Sequence, residues 1–300
     1  MSRKLLFIYN QHAGKGQIKP LLADIINIFT KADYQVVCHP TQAPKDAIQV
    51  ARDADEDVEL IVCSGGDGTL DEVATGLMQR GATIPIGYIP VGTTNDFANS
   101  LNLSRDIIQA AADVVSGEPY SYDVGAFNQD NFVYVAAFGA FTAVSYETNQ
   151  DFKKLFGHMA YLLEGMKSLT EIKSYMMKVD VNGRTYEGEF LFGMVTNTLS
   201  VGGFKNLTGK HVELDDGLFE VTLIHNPQNF FELQEIIGCL LTANDETDLI
   251  DTFKTDRIII ESMEEVAWTL DGEFGGEHSF VRIENCHKAM QIIVEKEEAE

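Results

Sequence analysis

Three glycines set around one aspartate, Ser64-Gly65-Gly66-Asp67-Gly68-Thr69-Leu70, join an apolar run to an amphipathic one. The apolar run, Leu60-Ile61-Val62-Cys63, reads as a buried strand. The stretch after it carries apolar residues at 70, 73, 74, 77 and 78, one face of a helix. Glycines at such a junction allow main-chain angles that side chains forbid. They also let backbone N–H groups come close to an anion, with a helix N-terminus behind them. The central acid would repel a phosphate unless a divalent cation or a reacting hydroxyl stands between them. A plain capped turn needs neither three glycines nor that acid.

Two more junctions repeat the theme. Ile84–Ile89 reads as a strand and runs into Pro90-Val91-Gly92-Thr93-Thr94-Asn95-Asp96-Phe97-Ala98, a Gly-Thr turn that opens a short helix with an acid at its start. Lys4–Tyr9 reads as a strand and ends in Asn10-Gln11-His12-Ala13-Gly14-Lys15-Gly16. In an open parallel sheet, loops at the carboxyl ends of the strands share one edge, where ligands bind. The three loops together read as one composite nucleotide site.

The N-terminal part alternates strand and helix. Strands are expected at 4–9, 34–38, 58–63 and 84–89, and helices near 17–32, 43–53, 69–80, 94–101 and 104–115. This is the pattern of a parallel α/β domain. From about 118 strands dominate: 118–126, 131–138, 174–181, 185–196, 218–224, 256–261, 266–270, 279–283 and 289–294. Many alternate apolar and polar residues, as an antiparallel sheet or sandwich with solvated faces does. Helices are expected at 152–169 and 228–242. The fold class is therefore α/β: a parallel-sheet nucleotide-binding domain, 1–125, and a β-rich, sandwich-like domain, 126–287, with inserted helices. The segment 288–300 is a candidate to return to the first domain. Helix 152–169 carries a broad apolar stripe with Lys153, Lys154 and Lys167 beside it. It reads as a core helix with its lysines in water, the alternative being a helix that lies on a membrane.

Charge narrows the partners. The chain has 22 basic against 46 acidic residues, a net charge of −24. That argues against nucleic-acid binding, whose footprint is basic, and against strong attraction to an anionic bilayer. No stretch approaches the roughly 18 apolar residues of a membrane span, and no signal-peptide core is visible, so the expectation is a soluble cytoplasmic protein. The four cysteines, Cys38, Cys63, Cys239 and Cys286, have no C-x-x-C spacing and suggest neither zinc nor disulfides. Cys38 and Cys63 fall in apolar strand patterns and are expected to be buried. His12 either touches a nucleotide or is an exposed loop residue.

G-G-D-G-T followed by P-x-G-T-x-N-D-F-A resembles the diacylglycerol kinase catalytic family, which includes soluble bacterial lipid kinases, sphingosine kinases and ceramide kinases. G-G-D-G-T alone is shared with NAD kinases and related phosphofructokinases. The likeness runs the full length, through Val144–Thr148, Asp215-Asp216-Gly217 and Leu270–Gly276. It implies an ATP-dependent, Mg²⁺-assisted kinase that phosphorylates diacylglycerol to phosphatidic acid, visiting the membrane surface peripherally and transiently. A homodimer is the default expectation.

The same resemblance implies roles for residues. Nucleotide contacts fall on Asn10, Gln11, His12, Ala13, Gly14, Lys15, Thr41, Gly66, Asp67, Gly68, Thr69, Leu70, Asp71, Glu72 and Thr93. Glu273, in Asp271-Gly272-Glu273, matches the proposed general base; from the residues alone this reads equally as a surface hairpin turn. From the residues themselves, Asp67, Asp96 and Asp123 are the candidate acids for Mg²⁺, Asp67 also catalytic and Asp96 and Asp123 acting through water; Asp123 reads nearly equally as a cap at a strand end. Glu213, Asp216 and Leu218 match a separate structural Mg²⁺ site, Asp216 through its side chain and the other two through carbonyls. Gln11 replaces a usual proline, Asp71 a usual asparagine, Phe138 and Phe141 crowd a glycine-rich segment, and Gly209-Lys210-His211 lacks a proline. Alternatives are another lipid alcohol or NAD as acceptor, and a non-catalytic nucleotide-binding regulator.

Overall fold

The computed structural model describes residues 3–92, 95–139, 173–199, 212–242 and 247–296. Thr93, Phe141, the expected helix 152–169 and Gly209-Lys210-His211 lie outside them. The chain forms two compact units, Met1–Asp123 with Lys288–Glu300, and Val124–His287.

In the first unit, β1 (Arg3–Tyr9), β2 (Tyr34–Pro40), β3 (Val58–Gly65) and β4 (Ile86–Pro90) are parallel, in the order β2-β1-β3-β4. The last residues of a long C-terminal strand join β4, also parallel, pairing Ile292 with Ile86. Helices α1 (Leu22–Lys31) and α5 (Ile107–Ser116) bury Ile25, Phe29, Ala110 and Val114 against Leu5, Phe7, Leu60 and Val62 of the sheet. Helices α2 (Asp46–Arg52) and α3 (Asp67–Arg80) pack on each other; α4 (Asp96–Ser100) is a single turn. Because both sheet faces are covered, β1 and β3 are apolar almost throughout rather than alternating.

Two expectations need correction here. Helix α1 begins at Leu22, not near 17, because Pro20 occupies a separate 3₁₀ turn, Lys19–Leu21; proline is tolerated in a first turn but not inside a helix. Cys38 is exposed, whereas Cys63 is buried. The reason is topology: β2 is the edge of this sheet, and β3 lies inside it.

The second unit is antiparallel. Its elements are the end of β5 (Glu118–Phe127), β6 (Asp130–Phe132), β7 (Val135–Gly139), β8 (Tyr175–Val181), β9 (Arg184–Thr196), β10 (Phe219–His225), α6 (Phe230–Thr242), β11 (Ile250–Thr255), β12 (Arg257–Leu270) and most of β13 (Glu273–Val294). β7 and β8 both bridge β9 to β12, at different stretches of those long strands. A register shift in β12 between Glu261 and Val266 divides the β8-paired part from the β7-paired part. Bulges bend a strand this way and let a sheet fold over its own core. That core holds Phe138, Phe190, Phe219 and Trp268, all essentially inaccessible.

The expected strands 256–261 and 266–270 are thus one strand, continuous through the Ser262–Glu265 bulge, and 279–283 and 289–294 both belong to β13. Strand β11 was not expected, although Ile250-Asp251-Thr252-Phe253-Lys254-Thr255 alternates faintly. The expected strand 131–138 is broken at Val133-Tyr134. The N–H groups that a continuous strand would give a neighbour go instead to the Asp271 carboxylate.

Candidate active site

The loops after β1, β3 and β4 meet at the carboxyl edge of the first unit's sheet. Asn10 N–H donates to the Ser64 carbonyl at 2.8 Å, and Val91 N–H to the Gly65 carbonyl at 2.8 Å. Asn10 also folds its own loop, its Oδ1 accepting from His12 N–H at 2.9 Å. Gly14, Lys15 and Gly16 follow with φ of 54°, 60° and 78°. A Cβ on Gly14 would stand 2.1 Å from the Val91 carbonyl oxygen, so glycine is required twice over, by backbone angle and by space. Gly66 and Gly92 touch across the β3 and β4 loops: a Cβ on Gly92 would lie 2.7 Å from the Gly66 Cα. The loop after β2 joins through Thr41 N–H, which donates to the Tyr9 carbonyl at 3.0 Å. These close approaches bring Asn10–Lys15, Thr41 and Gly66–Glu72 to one edge of the first unit. His12 and Lys15 are exposed there.

The acids come next. Asp67 opens α3 behind an extended Gly66, whose missing side chain leaves the helix N-terminus uncapped. Its Oδ2 accepts from Asp96 N–H at 3.0 Å, tying the Gly-rich turn to the start of α4. Asn95 turns that corner at φ 52°, a left-handed angle that asparagine adopts more readily than most residues. Its side-chain amide donates to the Gly92 carbonyl at 2.9 Å. Asp123 is fully buried on β5, and its Oδ1 accepts from Lys288 N–H at 2.7 Å, where Lys288 has φ 53°. One function of Asp123 is therefore to hold the backbone at the return of the chain.

Tyr88, Ser64 and Asn95 belong to this site but were not picked out from sequence. Tyr88 is buried at the end of β4, and its hydroxyl donates to the Gly65 carbonyl at 3.3 Å. Burial, then the nearby Asp67 charge, hold that hydroxyl well above the usual phenol range, so it stays a donor. Ser64 Oγ and Asn95 Oδ1 are buried polar atoms without a hydrogen-bond partner among the described residues. Such atoms beside a ligand loop fit contact with a ligand or water. An apolar strand followed by a serine was the signal for Ser64; nothing local marked Tyr88.

Among the described residues no three His, Cys, Asp or Glu side chains gather as a ready-made metal cage. Mg²⁺ in phosphoryl transfer is held by one or two carboxylates, phosphate oxygens and water. Asp67, at the opening of α3 beside the glycine-bearing loops, fits as one such carboxylate.

In the second unit, β12 and β13 are joined by a two-residue turn, Leu270 pairing with Glu273. Asp271 and Gly272 have φ of 50° and 87°, the signs of a type I′ hairpin. Asp271 is buried, and its carboxylate accepts from Val133, Tyr134 and Val135 N–H at 2.5, 2.9 and 2.8 Å. Glu273 is exposed. At the other acidic turn, Asp216 Oδ1 accepts from Leu218 N–H at 2.9 Å and its Oδ2 lies 3.2 Å from Lys254 Nζ. Lys254 also pairs with Glu220 at 3.1 Å. Burial nevertheless pushes the Glu220 carboxyl up to about 7, outweighing the attraction of Lys254. Glu213 is exposed, and a cation at Asp216 would share that carboxylate with Lys254.

Residues 4–127 match the diacylglycerol kinase catalytic domain model. Residues 135–294 match the model described as the YegS C-terminal NAD kinase beta sandwich-like domain. A diacylglycerol kinase of Bacillus subtilis (strain 168) is 33% identical over 304 residues, 99% of this chain and 98% of that protein. One from Staphylococcus carnosus (strain TM300) is 33% identical over 279 residues, 92% of this chain and 90% of that protein. A solved structure of a diacylglycerol kinase from Bacillus anthracis str. Sterne superposes with a TM-score of 0.75, covering 97% of each chain at 24% identity, which bears on the fold. An α/β catalytic domain with a β-rich, sandwich-like partner domain is the class these matches define. Within that class, the chain belongs to the diacylglycerol kinase family. No helix among its described residues is long and apolar enough to cross a membrane.

Proposed function

We propose that this chain is an ATP-dependent diacylglycerol kinase that makes phosphatidic acid at a membrane surface. The observation that carries the reading is the gathering of glycine-bearing loops and the linked acids Asp67 and Asp96 at one edge of a parallel sheet. Phosphoryl transfer is mostly positioning and charge neutralisation, which such a cradle supplies. The backbone of Asn10–Lys15 and Gly66–Leu70, with Thr41 and Thr93, would hold the triphosphate. Asp67 would hold Mg²⁺, with Asp96 and Asp123 acting through water, and the ion when bound would supply charge neutralisation for the phosphates. A second Mg²⁺ at Glu213, Asp216 and Leu218 belongs to the same proposal.

The acceptor hydroxyl is a poor nucleophile and needs a base. Glu273 is proposed for that role. Of the two carboxylates in Asp271-Gly272-Glu273, Asp271 is committed to three backbone N–H groups, and Glu273 faces solvent. The acceptor O–H bond breaks toward Glu273 while oxygen bonds to the γ-phosphorus. The bond from that phosphorus to the bridging oxygen of ADP breaks, and ADP leaves.

The test is labelled ATP offered with diacylglycerol, sphingosine, ceramide and NAD; NAD belongs in the panel because residues 135–294 match a domain described as NAD kinase-like. Label in phosphatidic acid supports the proposal. Label in another acceptor reassigns the substrate, and no label in any leaves a nucleotide-binding regulator. Glu273→Gln keeps the shape and loses the base, and should lower kcat by roughly 10²–10⁴ with ATP affinity unchanged. A loss confined to ATP affinity would remove Glu273 from the base role.

A further inference from the structure

Glu72 lies one turn into α3, among the residues that the family resemblance assigns to nucleotide contact. Its carboxylate points elsewhere. Oε1 accepts from Lys45 N–H at 2.8 Å and Oε2 from Ala47 N–H at 3.1 Å. Those two amides open α2, whose N-cap residue, Lys45, has φ 68° and offers no side-chain cap of its own. The donors at a helix start must find acceptors outside the helix, and a carboxylate there is also favoured by the helix dipole. Glu72 is therefore the cap of α2, supplied by another helix.

One turn further along α3, Gly76 lets the two helices touch. A Cβ there would lie 2.4 Å from the Ile48 carbonyl oxygen. The loop that leads into α2 carries Thr41. It is held to β1 by the Thr41 N–H bond to Tyr9 and folded internally by Asp46, whose Oδ2 accepts from Gln42 N–H at 2.8 Å and lies 3.0 Å from His39 Nε2. Glu72 fastens its far end to the helix that begins at the Gly-rich turn.

We propose that Glu72 is a positioning residue: it fixes the Thr41 loop relative to the Gly-rich turn, and so sets nucleotide affinity without touching the nucleotide. The inference rests on the nucleotide reading of this edge. It separates Glu72 from Asp67, five residues earlier on the same helix, by role.

Three measurements test it. Amide hydrogen exchange over residues 41–47, without nucleotide, should be faster in Glu72→Ala than in wild type, while exchange in β1 and β3 is unchanged. ATP affinity, measured by calorimetry, should fall roughly tenfold in Glu72→Ala, as for a lost charge-assisted hydrogen bond. In turnover assays KM for ATP should rise while kcat holds. Glu72→Gln, which keeps one acceptor oxygen, should restore most of the affinity; if the alanine variant fails to fold, Glu72→Asp, whose carboxylate is drawn back by one methylene, replaces it with the same expected direction in exchange and affinity. Unchanged exchange over 41–47 overturns the tether. Faster exchange with wild-type affinity, or a loss in kcat with KM unchanged, overturns the positioning role. A wild-type protein that binds no ATP overturns the nucleotide reading itself, a result distinct from either.

Discussion

Asp67-Gly68 and Asp271-Gly272 are the same dipeptide in two units. The first pair lies inside the opening turn of a helix, and the second forms the left-handed corner of a hairpin. Asp271 has three backbone N–H groups converging on its carboxylate, from a segment more than 130 residues earlier in sequence. Asp67 accepts the backbone N–H of Asp96 at the edge where the glycines gather. The difference teaches that an acid beside a glycine takes its role from where the fold sets it, closing a strand corner at Asp271 and standing among glycine-bearing loops at Asp67. Asp271 holds the second unit's strands in place, and Asp67 is the acid the proposed chemistry uses.

The sharpest way to break this comparison is Asp271→Ala. It orphans three N–H groups in a buried place, which should cost about 3–5 kcal/mol. Thermal denaturation should show a Tm lower by roughly 8–15 °C. Stability close to wild type would mean that the β6–β7 corner holds without the carboxylate. Asp67→Asn comes next. It keeps an acceptor for Asp96 N–H and removes the charge, so Tm should move little while kcat for lipid phosphorylation falls by about 10²–10³, the scale of a lost electrostatic contact to the transition state. Large destabilisation with turnover preserved would reverse the assignment of the two aspartates.

Glu220 sharpens the contrast with a smaller effect, because its buried carboxylate pairs with a cation, Lys254. Its carboxyl is raised to about 7 in the folded protein. A raised folded value means that its stabilising contribution is complete below the ordinary carboxylate range and is lost as pH climbs through 7. Glu220→Gln lacks that decline. The Tm of the variant minus that of wild type should grow by a few degrees between about pH 5 and pH 8. A difference that shrinks with pH would show the Lys254 pair outweighing burial.

Much of the first unit was legible because its signals are local. Buried parallel strands are continuous apolar runs, and glycines mark junctions where a Cβ would collide, as at Gly14 and Gly92. In the second unit β11 escaped because a short edge strand carries a faint alternation. The Ser262–Glu265 bulge passed for a break because its acids interrupt the apolar pattern, although the backbone runs through. Cys38 looked like a core residue because an apolar strand says nothing about its rank in the sheet.

By itself the sequence determined the two kinds of secondary-structure pattern, the glycine-and-acid turns, the absence of a long apolar helix in its pattern and, through those motifs, the family. Only the tertiary structure decided which atoms those side chains serve. Asp271 meets Val133–Val135, Glu72 meets Lys45 and Ala47, and Tyr88 meets Gly65 because the fold carries distant backbone to them. Periodicity and spacing record what each residue needs locally, whether burial, a turn or a cap. They do not record which remote donor answers that need, because hydrogen-bond partners are set by where the chain returns in space.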